Sequence, residues 1–450
     1  MKLLFCCEFY YPSVGGVQEV MRQIAERMVQ RGHDVTVGTS RLRERDFESH
    51  NGVRIAEFSV AGNLVSGIKG EIDRYRDFIA GFNGDAILIK AAQQWTFDAV
   101  WPILDQIKVR KVFIPCGFSG LFEPVYEEYF QAIPAILRKF DHLIFYAERY
   151  RDIDFARAHG MAHFSVVPNG ACEVEFNSVR DPYFRRRYGI PESSFFILTV
   201  GSLTGAKGHV ELAEAIALIG TRGRHVTAIL NGNIPPKPSN LDEVAKRNEV
   251  EHSHHISRFH MAFNQLVKRF QRVTGLAQRS VGVLRREGWI GVRNRILGLS
   301  GQMLNYWIAK ANQQKATKKV LQLDLPRAEL IQAYLSADLF VFASNIEYSP
   351  LVLYESAAAG TPFLTVSVGN SEEIALWTGG GLICPASKDE RGYTRVVPKV
   401  LGAHILDLMG QPDLLHNLGS AAHIAWKDRF TWDAIAGIYE EILSNSKTIS

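Results

Sequence analysis

Along most of this chain, short apolar runs alternate with stretches whose apolar residues recur every three to four positions. That is the pattern of parallel strands joined by covering helices. Lys2–Cys7 is an apolar run. Val17, Val20, Met21, Ile24 and Met28 then share one helical face, and Asp34–Gly38 reads as a second strand. Further strands are expected at Val53–Phe58, Ala86–Ile89, Val109–Pro115, Leu143–Tyr146 and Phe164–Pro168. The alternation pauses over 171–194, where Pro182, Arg185-Arg186-Arg187 and Pro191 read as a connection between domains. It restarts with a strand at Phe195–Val200, a helix through Ile219 and a strand at Val226–Leu230, then breaks after Asn233. It resumes at Val320–Leu323 and ends in a helix at Asp433–Leu443. Each half opens as strand, glycine loop and helix, so two similar α/β halves are expected. A length of 450 residues also exceeds one typical core.

The densest chemistry lies in Val341–Ile374, between strands expected at Leu339–Phe342 and Phe363–Val366. Ser349 is placed as the N-cap of an intervening helix, with Pro350 at its first position and Gly360 just past its end. In a parallel sheet such a helix N-terminus faces the ligand crevice and favours anions. Two carboxylates, Glu347 and Glu355, flank it. Carboxylates repel phosphate, so hydroxyls of a sugar or ribose are the partners expected for them. Gly15-Gly16 lies between the first strand and helix, where backbone must approach a ligand closely, but it is no GxGxxG dinucleotide fingerprint. In the second half the corresponding loop, Gly201–His209, carries Lys207, either a ligand for an anion held by loop N–H groups or a solvated surface lysine.

Charge changes the picture at one place. The chain carries +4 overall, yet 237–319 holds sixteen Lys/Arg against five Asp/Glu, leaving the remainder net acidic. Phe259, Phe263, Leu266, Phe270 and Val273 share a helical face there, and Trp289 and Trp307 sit among further arginines. A cationic amphipathic segment with tryptophans suits an anionic membrane surface; the alternative is a helical subdomain packed on its own body or on a second subunit. No nucleic-acid recognition motif accompanies it, so no nucleic-acid partner is expected. Five scattered cysteines without a CxxC pair suggest reduced thiols. With no signal peptide and no apolar run of about 18 residues, a cytoplasmic location is expected, peripheral to the inner face of the cell membrane if the basic segment binds lipid.

Taken in order, these motifs resemble those of the retaining glycosyltransferases of family 4. The points of similarity are the Gly15-Gly16 loop, Gly32-His33-Asp34-Val35, Val167-Pro168-Asn169-Gly170, and Val200-Gly201 through Lys207-Gly208. To these add Glu347 with seven residues before Glu355, and Phe430-Thr431-Trp432 before the closing helix. The resemblance covers the chain except for the basic segment. It implies the GT-B fold, two Rossmann-like domains facing across a cleft: residues 1–180 on the acceptor side, 181–430 binding the donor with 237–319 inserted, and 431–450 as a closing helix.

It also implies roles. The donor would be a UDP- or GDP-sugar, with no further cofactor and no metal, and the acceptor a glycan or a lipid-linked molecule, as in cell-surface polysaccharide or glycoconjugate synthesis. Lys207 and Glu347 would be catalytic, Lys207 on the diphosphate and Glu347 on the transferred sugar, and Glu355 would take the ribose. Gly15, Gly16, Gly201, Ser202, Asn231, Ser349, Pro350, Leu351 and Val352 would complete the donor site, with Cys116, Gly117 and Asn169 on the acceptor side. Transfer with retention would proceed by front-face attack, the leaving phosphate oxygen accepting the acceptor's proton. The sequence departs from the family where Ser202 replaces the usual arginine, and where Pro115–Ser119 lacks a histidine found in many relatives. A catalytically weak or inactive GT-B scaffold that binds a nucleotide sugar or a membrane partner is therefore the rival reading; a GT-B epimerase would need an acid/base set of its own, which is not found. Asp152-Ile153-Asp154 mimics a metal-binding DxD and is expected on a helix surface.

Overall fold

The computed structural model describes residues 1–221, 223–233, 300–390 and 392–444. The basic segment up to residue 299 thus lies outside the described residues; its described end is helical over 300–312.

Two parallel sheets organise the chain. In the first, the strands run in the order Phe164–Val166, His142–Phe145, Arg110–Ile114, Ala86–Lys90, Lys2–Cys6, Asp34–Ser40, Val53–Phe58, with the short antiparallel strand Ser49–His50 at the edge. Both faces are covered, so successive side chains enter different cores: Leu4 and Cys6 on one side, Leu3, Phe5 and Cys7 on the other. The helix Gly16–Gln30 buries Val20, Met21, Ile24, Ala25 and Met28, the stripe its spacing dictates.

The second sheet runs Lys318–Leu323, Val226–Asn231, Phe195–Val200, Leu339–Phe342, Phe363–Val366, Gly381–Cys384. Phe195–Val200 pairs on one side with Val226–Asn231 and on the other directly with Leu339–Phe342. Strand order reverses there, and an open α/β sheet opens its ligand crevice at such a reversal. The loops after these two central strands carry Lys207 and Glu347. Two small antiparallel pairs, Val60–Ala61 with Lys69–Gly70 and Ala386–Lys388 with Thr394–Val396, have too little apolar alternation to be legible in sequence.

The closing helix, Trp432–Ser444, returns to the first half. Trp432, Ile435, Ala436 and Tyr439 enter the core beneath the helix Gly16–Gln30, and Arg31 reaches Asp433 and Glu440 at 2.9 Å. At the described end of the basic segment, Leu304 and Ala311 are buried in the second half, while Met303 and Tyr306 are exposed. Among the described residues no helix is long and apolar enough to cross a membrane.

Two expectations change. The helix expected from Pro350 begins at Leu351, with Pro350 at the cap position and no capping hydrogen bond from a side chain. Ser349 is one residue too far back, and its carbonyl instead accepts from Asn169 Nδ2 at 3.3 Å. Asp152 lies on the helix Arg151–Ala158 but inward: it is fully buried, not on the surface.

Candidate functional site

Glycine decides how the Lys207 loop approaches its neighbour. Gly208 has φ +77°, and a Cβ there would stand 2.2 Å from the Ala343 carbonyl oxygen. Only glycine permits both the left-handed backbone and this approach. The neighbouring loop is then tied down, Asn345 N–H donating to the Ala206 carbonyl at 2.8 Å and Ser344 Oγ to the same oxygen at 3.1 Å. As a result Lys207 Nζ and Glu347 Oε1 form an ion pair, both side chains about one-fifth to one-quarter exposed. Ser202 is half-buried, and its backbone carbonyl accepts from the Thr204 N–H within this loop. Gly201 packs against the Lys207 stem, where a Cβ would meet it at 3.0 Å.

Across the crevice, Gly16 at the start of its helix stands 4.0 Å from Leu351 Cδ1, measured from where its Cβ would be. Leu351, Val352 and Gly15-Gly16 therefore line facing helix N-termini, each with unpaired N–H groups suited to an anion.

Glu355, on the helix Leu351–Ala358, receives Arg327 Nη1 at 2.7 Å. The same guanidinium reaches Glu175 and lies 5.9 Å from the Phe176 ring centre. Although partial desolvation works against its charge, the two carboxylates hold the Arg327 pKa above the usual arginine range. Arg327 belongs to none of the sequence motifs; the structure places it in the first turn of the helix Arg327–Ser336 and so beside Glu355.

Three expected positions have structural partners of their own. Asn231 is 4% exposed, and its side-chain oxygen accepts from the Leu325 N–H at 2.8 Å, so it braces two strand ends from beneath the crevice. Asn169 is 2% exposed and braces the loop at Ser349. Gly117, at φ +91°, is covered by two rings: a Cβ there would meet Tyr348 at 3.1 Å and Tyr150 at 3.2 Å. Cys116 beside it is half-buried, with φ +63° and a thiol pushed up by burial. Ala91, Gln93 and Phe118 also have positive φ, so left-handed backbone clusters in the loops after two adjacent strands of the first sheet. Lys90 lies at one of those strand ends, 1% exposed; burial brings its ammonium down to about 8, and its nearest acceptor is the Val17 carbonyl at 3.5 Å.

Compared with solved structures, the described residues have the GT-B fold. Sucrose-phosphate synthase from Thermosynechococcus elongatus aligns over 98% of both chains with a TM-score of 0.66 at 17% identity. Anabaena HepE, solved in complex with UDP and glucose, aligns over 99% of both with a TM-score of 0.64 at 15% identity. Residues 283–421 match the family of glycosyl transferases group 1. D-inositol 3-phosphate glycosyltransferase of Segniliparus rotundus is 31% identical over 111 residues, which is 25% of this chain and 22% of that protein. The similarity thus spans about a quarter of this chain and of that relative.

Proposed function

We propose that this protein is a retaining glycosyltransferase of the family 4 kind, moving a sugar from a UDP- or GDP-sugar to a glycan or lipid-linked acceptor. The observation that carries the reading is the Lys207–Glu347 ion pair at the strand-order reversal, in the loop that leads into the helix at Leu351. A diphosphate seated on the N–H groups near Leu351 and Gly16 would draw Lys207 to itself. That would release Glu347 to accept hydrogen bonds from hydroxyls of the donor sugar. As the glycosidic bond breaks, negative charge gathers on the leaving phosphate, and Lys207 would stabilise it. The acceptor hydroxyl attacks from the same face and gives its proton to that phosphate oxygen, so no protein base is required. Glu355, held by Arg327, would accept the ribose hydroxyls. UDP and UDP-glucose bound to Anabaena HepE are consistent with this donor class.

A screen of UDP- and GDP-sugars for thermal stabilisation and slow donor hydrolysis tests the reading and identifies the nucleotide. Stabilisation with no hydrolysis and no transfer would favour the scaffold reading, for which the serine at position 202 speaks. Indifference to every nucleotide would remove the enzyme and leave only a scaffold for a membrane partner.

The basic segment supports a peripheral membrane contact in polysaccharide or glycoconjugate assembly. At its described end Met303 and Tyr306 are exposed, and Lys310 Nζ lies 4.7 Å from the Trp307 ring centre. Flotation with anionic but not neutral vesicles is the expected result; equal behaviour with both would count against it.

A further inference from the structure

Glu347 is gripped from two sides. Its carboxylate faces Lys207 of its own half, while its backbone carbonyl accepts from Tyr150 Oη of the other half at 2.8 Å. The next residue, Tyr348, projects into that other half. Its hydroxyl accepts from the Tyr146 N–H at 3.0 Å, and its ring lies 4.6 Å from that of Tyr150 and 5.5 Å from that of Tyr146. Gly117 makes room for the ring, since a Cβ there would meet it at 3.1 Å. With the Tyr146 N–H as its donor the hydroxyl keeps its own proton, and the buried Asp152 carboxylate is the charged group that acts on it electrostatically. Asp152 is itself fixed: it is fully buried, and Oδ2 accepts from the Gly117 N–H at 2.8 Å.

We propose that Tyr348 is a positioning residue that sets the Glu347 carboxylate by anchoring its loop, through Asp152 and the Tyr146 N–H, on the opposite half of the molecule. The inference rests on the nucleotide-sugar reading of the Lys207–Glu347 site. Tyr348 does not touch the reacting atoms. Without its anchor the loop can still pair with Lys207, but Glu347 is no longer held in register with groups supplied by the first half. A catalytic group loses rate steeply when its placement loosens by even about 1 Å.

Tyr348→Phe, Asp152→Asn and the double variant test it, with Tyr150→Phe as a third route should Asp152→Asn fail to fold. UDP or GDP affinity is read by titration, and kcat and KM by turnover of the best donor from the screen. The phenol alone is removed in Tyr348→Phe, so nucleotide affinity should stay within about threefold while kcat falls about tenfold, the scale of one lost hydrogen bond to a charged group. Asp152→Asn should behave alike. The double variant should be no worse than the poorer single one, because the two residues act as a unit. Near-wild-type kcat in Tyr348→Phe, or losses that multiply in the double variant, would overturn the proposal and leave the donor reading standing. A wild-type protein that neither binds nor turns over any nucleotide sugar would overturn the donor reading and this inference with it.

Discussion

Lys207 and Glu347 form an ion pair across 140 residues of sequence because the two strands preceding them are hydrogen-bonded neighbours. Each strand delivers its loop to the same end of the sheet, so the pair is fixed by topology.

Removing either partner should stop most turnover without unfolding the protein, since both side chains are partly exposed. Lys207→Ala and Glu347→Ala are each expected to lower kcat roughly 10- to 1000-fold, the range for a charged group at a transition state that gathers charge. Steady-state kinetics on the donor identified by screening, with circular dichroism to check folding, is the measurement. Transfer at wild-type rates by either variant would remove these residues from the mechanism.

Arg327 should act on binding. It holds Glu355 with one arm and Glu175 with the others, a fork geometry that lysine cannot reproduce. Arg327→Ala is expected to weaken nucleotide binding about tenfold with a smaller change in kcat, and Arg327→Lys to recover only part of it. Calorimetric titration with UDP or GDP reads the effect. Unchanged affinity in Arg327→Ala would show that Glu355 needs no help in placement.

Gly208→Ala should cost both stability and activity. Its backbone is left-handed at φ +77°, and the new methyl would meet the Ala343 carbonyl oxygen at 2.2 Å. Left-handed strain alone is worth about 1–3 kcal/mol, before the clash moves the loop that carries Lys207. A lower melting temperature together with lost turnover is expected; a stable, active variant would mean the two loops can separate freely.

Asp98 supplies a pH signature. It is 1% exposed, and accepts from the Leu64 N–H at 2.9 Å and from Tyr129 Oη at 2.7 Å. Burial pushes its pKa up to about 6 against the pull of those hydrogen bonds. The unfolded chain releases this proton near pH 4, the folded one near pH 6, so the folded state binds more protons in between. Stability therefore falls as pH rises through that window, on the order of 2–3 kcal/mol for this residue. Asparagine at 98 removes the dependence. The stability of wild type relative to Asp98→Asn should drop between pH 4 and pH 7 in denaturant titrations, and a constant difference would rule out the assignment.

Much of the fold was legible from apolar periodicity. Strands at Phe195–Val200, Leu339–Phe342 and Phe363–Val366 lie where the pattern put them, because strands buried on both faces are mostly apolar; Val53–Phe58, with Arg54 exposed, was legible from its alternation instead. Strand order was less accessible. The Glu347 strand is the direct neighbour of the Lys207 strand although Val226–Asn231 and Lys318–Leu323 come between them in the chain, since order in a sheet depends on which way each crossover turns. Asp152 shows the same limit at the scale of one side chain: a charged residue in a polar helix reads as solvated, and only the packing of Gly117 and Tyr348 above it explains its burial.

By itself the sequence determined the α/β class, the glycine loops, and the lysine and two glutamates of the candidate site, because backbone freedom, periodicity and charge are local properties. Tertiary structure decided that Lys207 faces Glu347, that Arg327 holds Glu355, and that Tyr348 crosses to the other half. Those are relations between residues far apart in the chain. They follow from strand order and from the closure of two halves on each other, which no local spacing encodes.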